Sequence, residues 1–84
     1  MKTKTFLEIV RDVCNKTIDD YNKSVIDTFD DMRLFQDTLE SFIKTIGDAY
    51  IKSPAFSDGE YVACLEVIYE TKDKIYNLYF KRYE

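Results

Sequence analysis

At 84 residues the chain has room for a single domain with a small core, and 45% apolar residues with seven Tyr and six Phe exclude a disordered chain. Sixteen acidic against twelve basic residues leave a net charge of −4, which disfavours general affinity for nucleic acid or anionic membrane. With two Gly, one Pro and no alternating apolar runs, strands and their turns have little support, so the predicted class is all-α.

The first predicted helix covers residues 5–15. Phe6, Ile9, Val10, Val13 and Cys14 recur at the i, i+3, i+4, i+7, i+8 spacing of an amphipathic helix, with Thr5 or Thr3 as N-cap. Asn15-Lys16-Thr17 is the predicted break, because Asn tolerates helix-ending geometry and Thr17 with Asp20 resembles a capping box.

The second helix is predicted over 18–50. Ile18, Val25, Met32, Leu39 and Ile46 stand at seven-residue intervals, and Tyr21, Thr28, Phe35, Phe42 and Ala49 follow each by three. Phe29, Ile43 and Tyr50 widen this stripe. Gly47 is a natural residue for the helix end, and Ser53-Pro54 forbids further continuation. A linker around 52–57 leads to Ser57-Asp58-Gly59-Glu60, a capping-box pattern that opens the third helix, over 58–83. On that helix Tyr61, Cys64, Leu65, Ile68, Ile75, Leu78 and Tyr79 form one apolar face, and Val62, Tyr69, Tyr76 and Tyr83 form a second beside it.

The expected architecture is therefore three helices in one domain, 1–84: a short N-terminal helix and a long antiparallel helical hairpin. Two helices near 40 Å long leave the second face of the last one uncovered. That calls either for a break in the long helix near Asp27-Thr28 or for completion by a homodimer.

Routes to catalysis are scarce. Without histidine the chain lacks the commonest general base and the commonest neutral metal ligand. Cys14 and Cys64 sit on apolar helix faces and read as structural thiols, and Gly47 and Gly59 make no phosphate loop. The expectation is a non-enzyme with no cofactor and no metal. No apolar run resembles a signal peptide or membrane span, so a cytoplasmic location is expected, with both thiols reduced.

Two features are left over for function. Between Thr17 and Glu40, seven carboxylates face only Lys23 and Arg33; Asp20, Asp27 and Asp31 share one face of a continuous helix, and Asp30 and Asp37 a neighbouring one. Such a ridge suits a partner with a basic surface, although solvated helix faces also look like this. The second feature is the Tyr69, Tyr76 and Tyr83 row, whose rings suit burial at an interface with the hydroxyls at its rim. Lys72, Lys74, Lys81 and Arg82 read as cations meeting a helix C-terminus.

The functional expectation is a protein-binding module, a small stoichiometric inhibitor that occludes a larger protein. Its size and AT-rich residue usage fit the accessory proteins of phages and mobile elements, of anti-defence or immunity type. A self-assembling helical module is the alternative, and a nucleic-acid binder a weaker one.

Overall fold

The computed structural model describes residues 4–82, which form three helices with no strand among them. Helix α1 spans Phe6–Lys23, α2 Phe29–Lys52 and α3 Asp58–Arg82. Tyr83, the last member of the tyrosine row, lies outside the described residues.

The break between the first two helices falls at 24–28, where the length argument allowed one near Asp27-Thr28, and not at 15–17. Thr17 lies inside α1, where it is 8% exposed and donates its hydroxyl to the Val13 carbonyl at 2.8 Å. Buried Val10, Cys14, Thr17 and Tyr21 continue one stripe across the expected break, and this stripe keeps the helix running. At its start the Thr5 hydroxyl accepts from Glu8 N at 3.1 Å. At its end Ser24 N donates to the Tyr21 carbonyl, and Ser24 Oγ donates to the Asp20 carbonyl. The N-terminal helix is thus 18 residues long, not the short segment expected.

The capping box belongs to Thr28 and Asp31. Thr28 Oγ1 accepts from Asp31 N at 3.2 Å, and Asp31 Oδ2 accepts from Thr28 N at 3.1 Å, so two otherwise unpaired donors are satisfied together. Five residues therefore separate α1 from α2, and Ile26 plugs the core from within them, 2% exposed, while Val25 points out at 76%. Val25 thus leaves the heptad row in which the sequence places it.

Met32, Leu39 and Ile46 keep their seven-residue spacing as the buried stripe of α2. Gly47 does not end this helix, which runs on to Lys52 before Ser53 N donates to the Ala49 carbonyl and Pro54 follows. Gly47 instead faces α3, where a Cβ would lie 3.5 Å from the Tyr61 hydroxyl. The linker is pinned by Phe56, 3% exposed, whose ring stacks on Phe6 at 4.0 Å and meets Tyr50 and Tyr61 edgewise. Ser57 then caps α3, its hydroxyl accepting from Glu60 N at 3.2 Å.

Helix α3 is the central element: α1 and α2 each pack on it far more than on each other. Along α2 and α3 the partners run in opposite order. Tyr50 and Gly47 meet Tyr61, Glu40 and Gln36 meet Lys72, and Phe29 meets Tyr76, Tyr79 and Phe80. Along α1 and α3 they rise together, Arg11 and Cys14 lying near Val67 and Thr71, and Tyr21 near Leu78. Cys64, Ile68, Thr71 and Ile75 are buried between the two neighbours. The result is long and flat, 45 × 26 × 16 Å with a radius of gyration of 14.1 Å. An ordinary globule of this length would have about 12 Å.

Two substitutions test this arrangement by urea denaturation. Leu39→Ala, at a fully buried site, is expected to cost about 2–5 kcal/mol. Thr28→Ala is expected to cost about 0.5–2 kcal/mol through loss of the cap.

Candidate protein-binding surface

The acidic residues do not form the single ridge that their spacing implies. Asp20 is near the end of α1, Asp27 is in the connecting turn, and Asp30 and Asp31 are in the first turn of α2. Because 24–28 is not helical, the i, i+7, i+11 relation of Asp20, Asp27 and Asp31 no longer places them on one helix face. Asp31 also has a structural task. Its carboxylate accepts from the backbone of Thr28 and of Asp27, and these bonds hold its pKa below the ordinary carboxylate range. Asp30 and Asp37 are exposed on α2, while Glu40 pairs with Lys72 across to α3. What remains is a looser acidic region around the α1–α2 turn, made of Asp19, Asp20, Asp27 and Asp30.

The tyrosine row stays together. Val62, Tyr69 and Tyr76 are 53%, 51% and 45% exposed along one side of α3, the side on which Tyr76 meets Phe29 of α2. Phe80, one turn past Tyr76, and Phe29, the first residue of α2, extend this surface. The Tyr76 and Phe80 ring centroids lie 4.6 Å apart, and Phe29 meets both edgewise or tilted at about 6.5 Å. At mid-row the Lys72 ammonium stands 5.7 Å from the centre of the Tyr69 ring. Rings half open to solvent with free tips combine apolar contact area with hydrogen-bonding rims, the composition favoured at protein interfaces. Phe29 is the member that the spacing along α3 cannot supply. The i+4 step from Tyr76 is the signal that points to Phe80, whereas Phe29 enters only through tertiary packing.

Elsewhere a shallow groove of about 350 Å³ runs between α1 and α3, with Cys14 and Thr71 at its floor and Arg11 and Lys74 among its walls. Burial pushes the thiols of Cys14 and Cys64 up in pKa, away from the nucleophilic thiolate form. The Tyr50 hydroxyl donates to the Asp58 carboxylate, tying the end of α2 to the start of α3 and raising the pKa of that tyrosine. Among the described residues no three acidic or thiol side chains converge as a metal site, and no helix is long and apolar enough to cross a membrane.

The lowered pKa of Asp31 sets a pH dependence. Its contribution to stability is complete above the unfolded carboxylate pKa of about 3.9 and is lost as pH falls below it. The urea midpoints of wild type and Asp31→Asn are therefore expected to differ by a constant amount above about pH 5 and to converge in acid. A thiol reagent at neutral pH is expected to label Cys14 and Cys64 only at the rate of opening or unfolding, read by mass spectrometry with and without urea. Comparison with protein-family models, with curated proteins and with solved structures found no match to this chain.

Proposed function

We propose that this chain is a non-enzymatic protein-binding module that acts by covering the surface of another protein, as a small stoichiometric inhibitor does. The observation that carries this reading is the exposed row of Val62, Tyr69, Tyr76 and Phe80 with Phe29 beside it. Exposed apolar surface outside the core, with hydroxyl tips on Tyr69 and Tyr76, supports an interface more than it supports folding. In this reading α2 and α3 act as an antiparallel hairpin that presents the row on one side while α1 braces the other. The exposed Asp20, Asp27, Asp30 and Asp37 add a negative field that would speed encounter with a basic partner. Free, buried Cys14 and Cys64 suit a reducing compartment such as the cytoplasm, where phage or mobile-element accessory proteins would work. Self-assembly is the second reading, favoured by the flat, elongated shape of the single chain.

The test is capture of a partner from host extract by tagged wild type and variants, with circular dichroism as a control for folding. Tyr69→Ala and Tyr76→Ala are each expected to weaken the captured complex by more than about 1 kcal/mol, with little dependence on salt. Asp27→Lys with Asp30→Lys is expected to slow association, most clearly at low salt. Leu34→Ala, at a site 65% exposed on another part of α2, is expected to change nothing. Equal capture by wild type and both tyrosine variants would remove the row as the contact.

A further inference from the structure

Val62, Tyr69 and Tyr76 recur at seven-residue intervals on α3. That period keeps a row facing a second helix of the same pitch, as in a coiled-coil seam. The two borders of the row carry different charges. Helical spacing puts exposed Glu66 and Asp73 on the side away from α2. On the other side, helical spacing from Phe29 and Glu40 puts exposed Arg33 and Lys44 of α2, with Asp37 between them, and Glu40 is already neutralised by Lys72. Among the described residues Arg33, Lys44, Glu66 and Asp73 have no ion pair within the chain. The opposed order of contacts along α2 and α3 places Lys44 near the level of Glu66, since Gly47 meets Tyr61 and Glu40 meets Lys72.

We propose that the occupant of the α3 row is a second copy of this chain, related by a two-fold axis parallel to α3. This rests on the self-assembly reading of that row, in which a second copy and not a host protein occupies it. Two symmetric arrangements bring α3 against its copy. With the axis across the helices, the acidic border of one chain meets the acidic border of the other, and the α2 borders meet likewise. With the axis along the helices, the acidic border of each chain meets the α2 border of the other, so Glu66 faces Lys44 of the second copy. Like charges at an interface cost free energy and opposite charges fix register, so Coulomb's law selects the second arrangement. Asp73 would meet Arg33 and Asp37 together, which leaves Glu66 and Lys44 as the pair that sets the symmetry. Tyr69 and Tyr76 then lie against their own counterparts along the axis.

Sedimentation equilibrium over a concentration series tests this, with circular dichroism reporting folding. Wild type is expected to approach twice the chain mass at tens of micromolar. Glu66→Lys and Lys44→Glu are each expected to weaken the dimer by roughly tenfold, and the double exchange to restore it. Tyr69→Ala combined with Tyr76→Ala is expected to give a helical monomer. A dimer strengthened by Glu66→Lys would overturn the parallel axis, as would failure of the double exchange to restore association. A dimer unaffected by the tyrosine pair would overturn the assignment of the row to a second copy. A wild type that stays monomeric, yet loses a host partner on Tyr69→Ala, would overturn the dimer while leaving the protein-binding reading in place.

Discussion

The break at Ser24–Thr28, set by burial and closed by the reciprocal hydrogen bonds between Thr28 and Asp31, is the constraint on which the arrangement depends. Without a stop there, α1 and α2 would form one rod of about 70 Å, and α1 would extend past the end of α3 instead of lying on it. The cap gives α2 a defined beginning, the Ser24–Thr28 turn gives the chain room to reverse, and Ile26 anchors that turn in the core. Only then can α3 be buried along two sides. Thr71 serves the α1 side, against Cys14, and Tyr61 serves the α2 side, against Tyr50. A central helix with two neighbours distributes its apolar residues around more of its circumference than a helix on the surface does.

Much of this was legible in the chain. The number of helices, the bounds of α3 and the buried row of Met32, Leu39 and Ile46 follow from period and capping alone. The break near Asp27-Thr28 followed only from helix length, as one of two alternatives, while local signals favoured 15–17, and the reason lies in two near-identical capping patterns. Thr17-Ile-Asp-Asp and Thr28-Phe-Asp-Asp both offer a hydroxyl and a carboxylate three residues apart. Local chemistry cannot rank them. Burial does, since cutting at Thr17 would divide the stripe that runs from Val10 to Tyr21, whereas cutting at Thr28 releases Val25 to solvent and costs little. The heptad row through Ile18 and Val25 competes with that stripe, and tertiary packing on α3 decides between them.

The same misplacement explains the two outcomes at the candidate surface. The aromatic row depends only on the continuity of α3, so its members keep their relation. The acidic ridge depended on a helix that crosses 24–28, and its members are therefore divided among α1, the turn and α2. A surface read from periodicity is as sound as the helix beneath it. Phe29 shows the converse: it is remote from Tyr76 and Phe80 in sequence, and only the pairing of α2 with α3 brings the three rings together.

The parallel packing of α1 on α3 also fixes an order of events during synthesis. Phe6 closes on Phe56, and Cys14 on the region of Thr71, across 49 and 56 residues of intervening chain. On the ribosome α1 emerges before the helix that buries it exists. Most of its apolar stripe stays wet while α2 is made and then until α3 is extruded, so the helix made first waits longest for its cover. The polar residues that share its surface, among them Arg11, Asn15 and Lys16, keep that waiting helix soluble until its place on α3 appears.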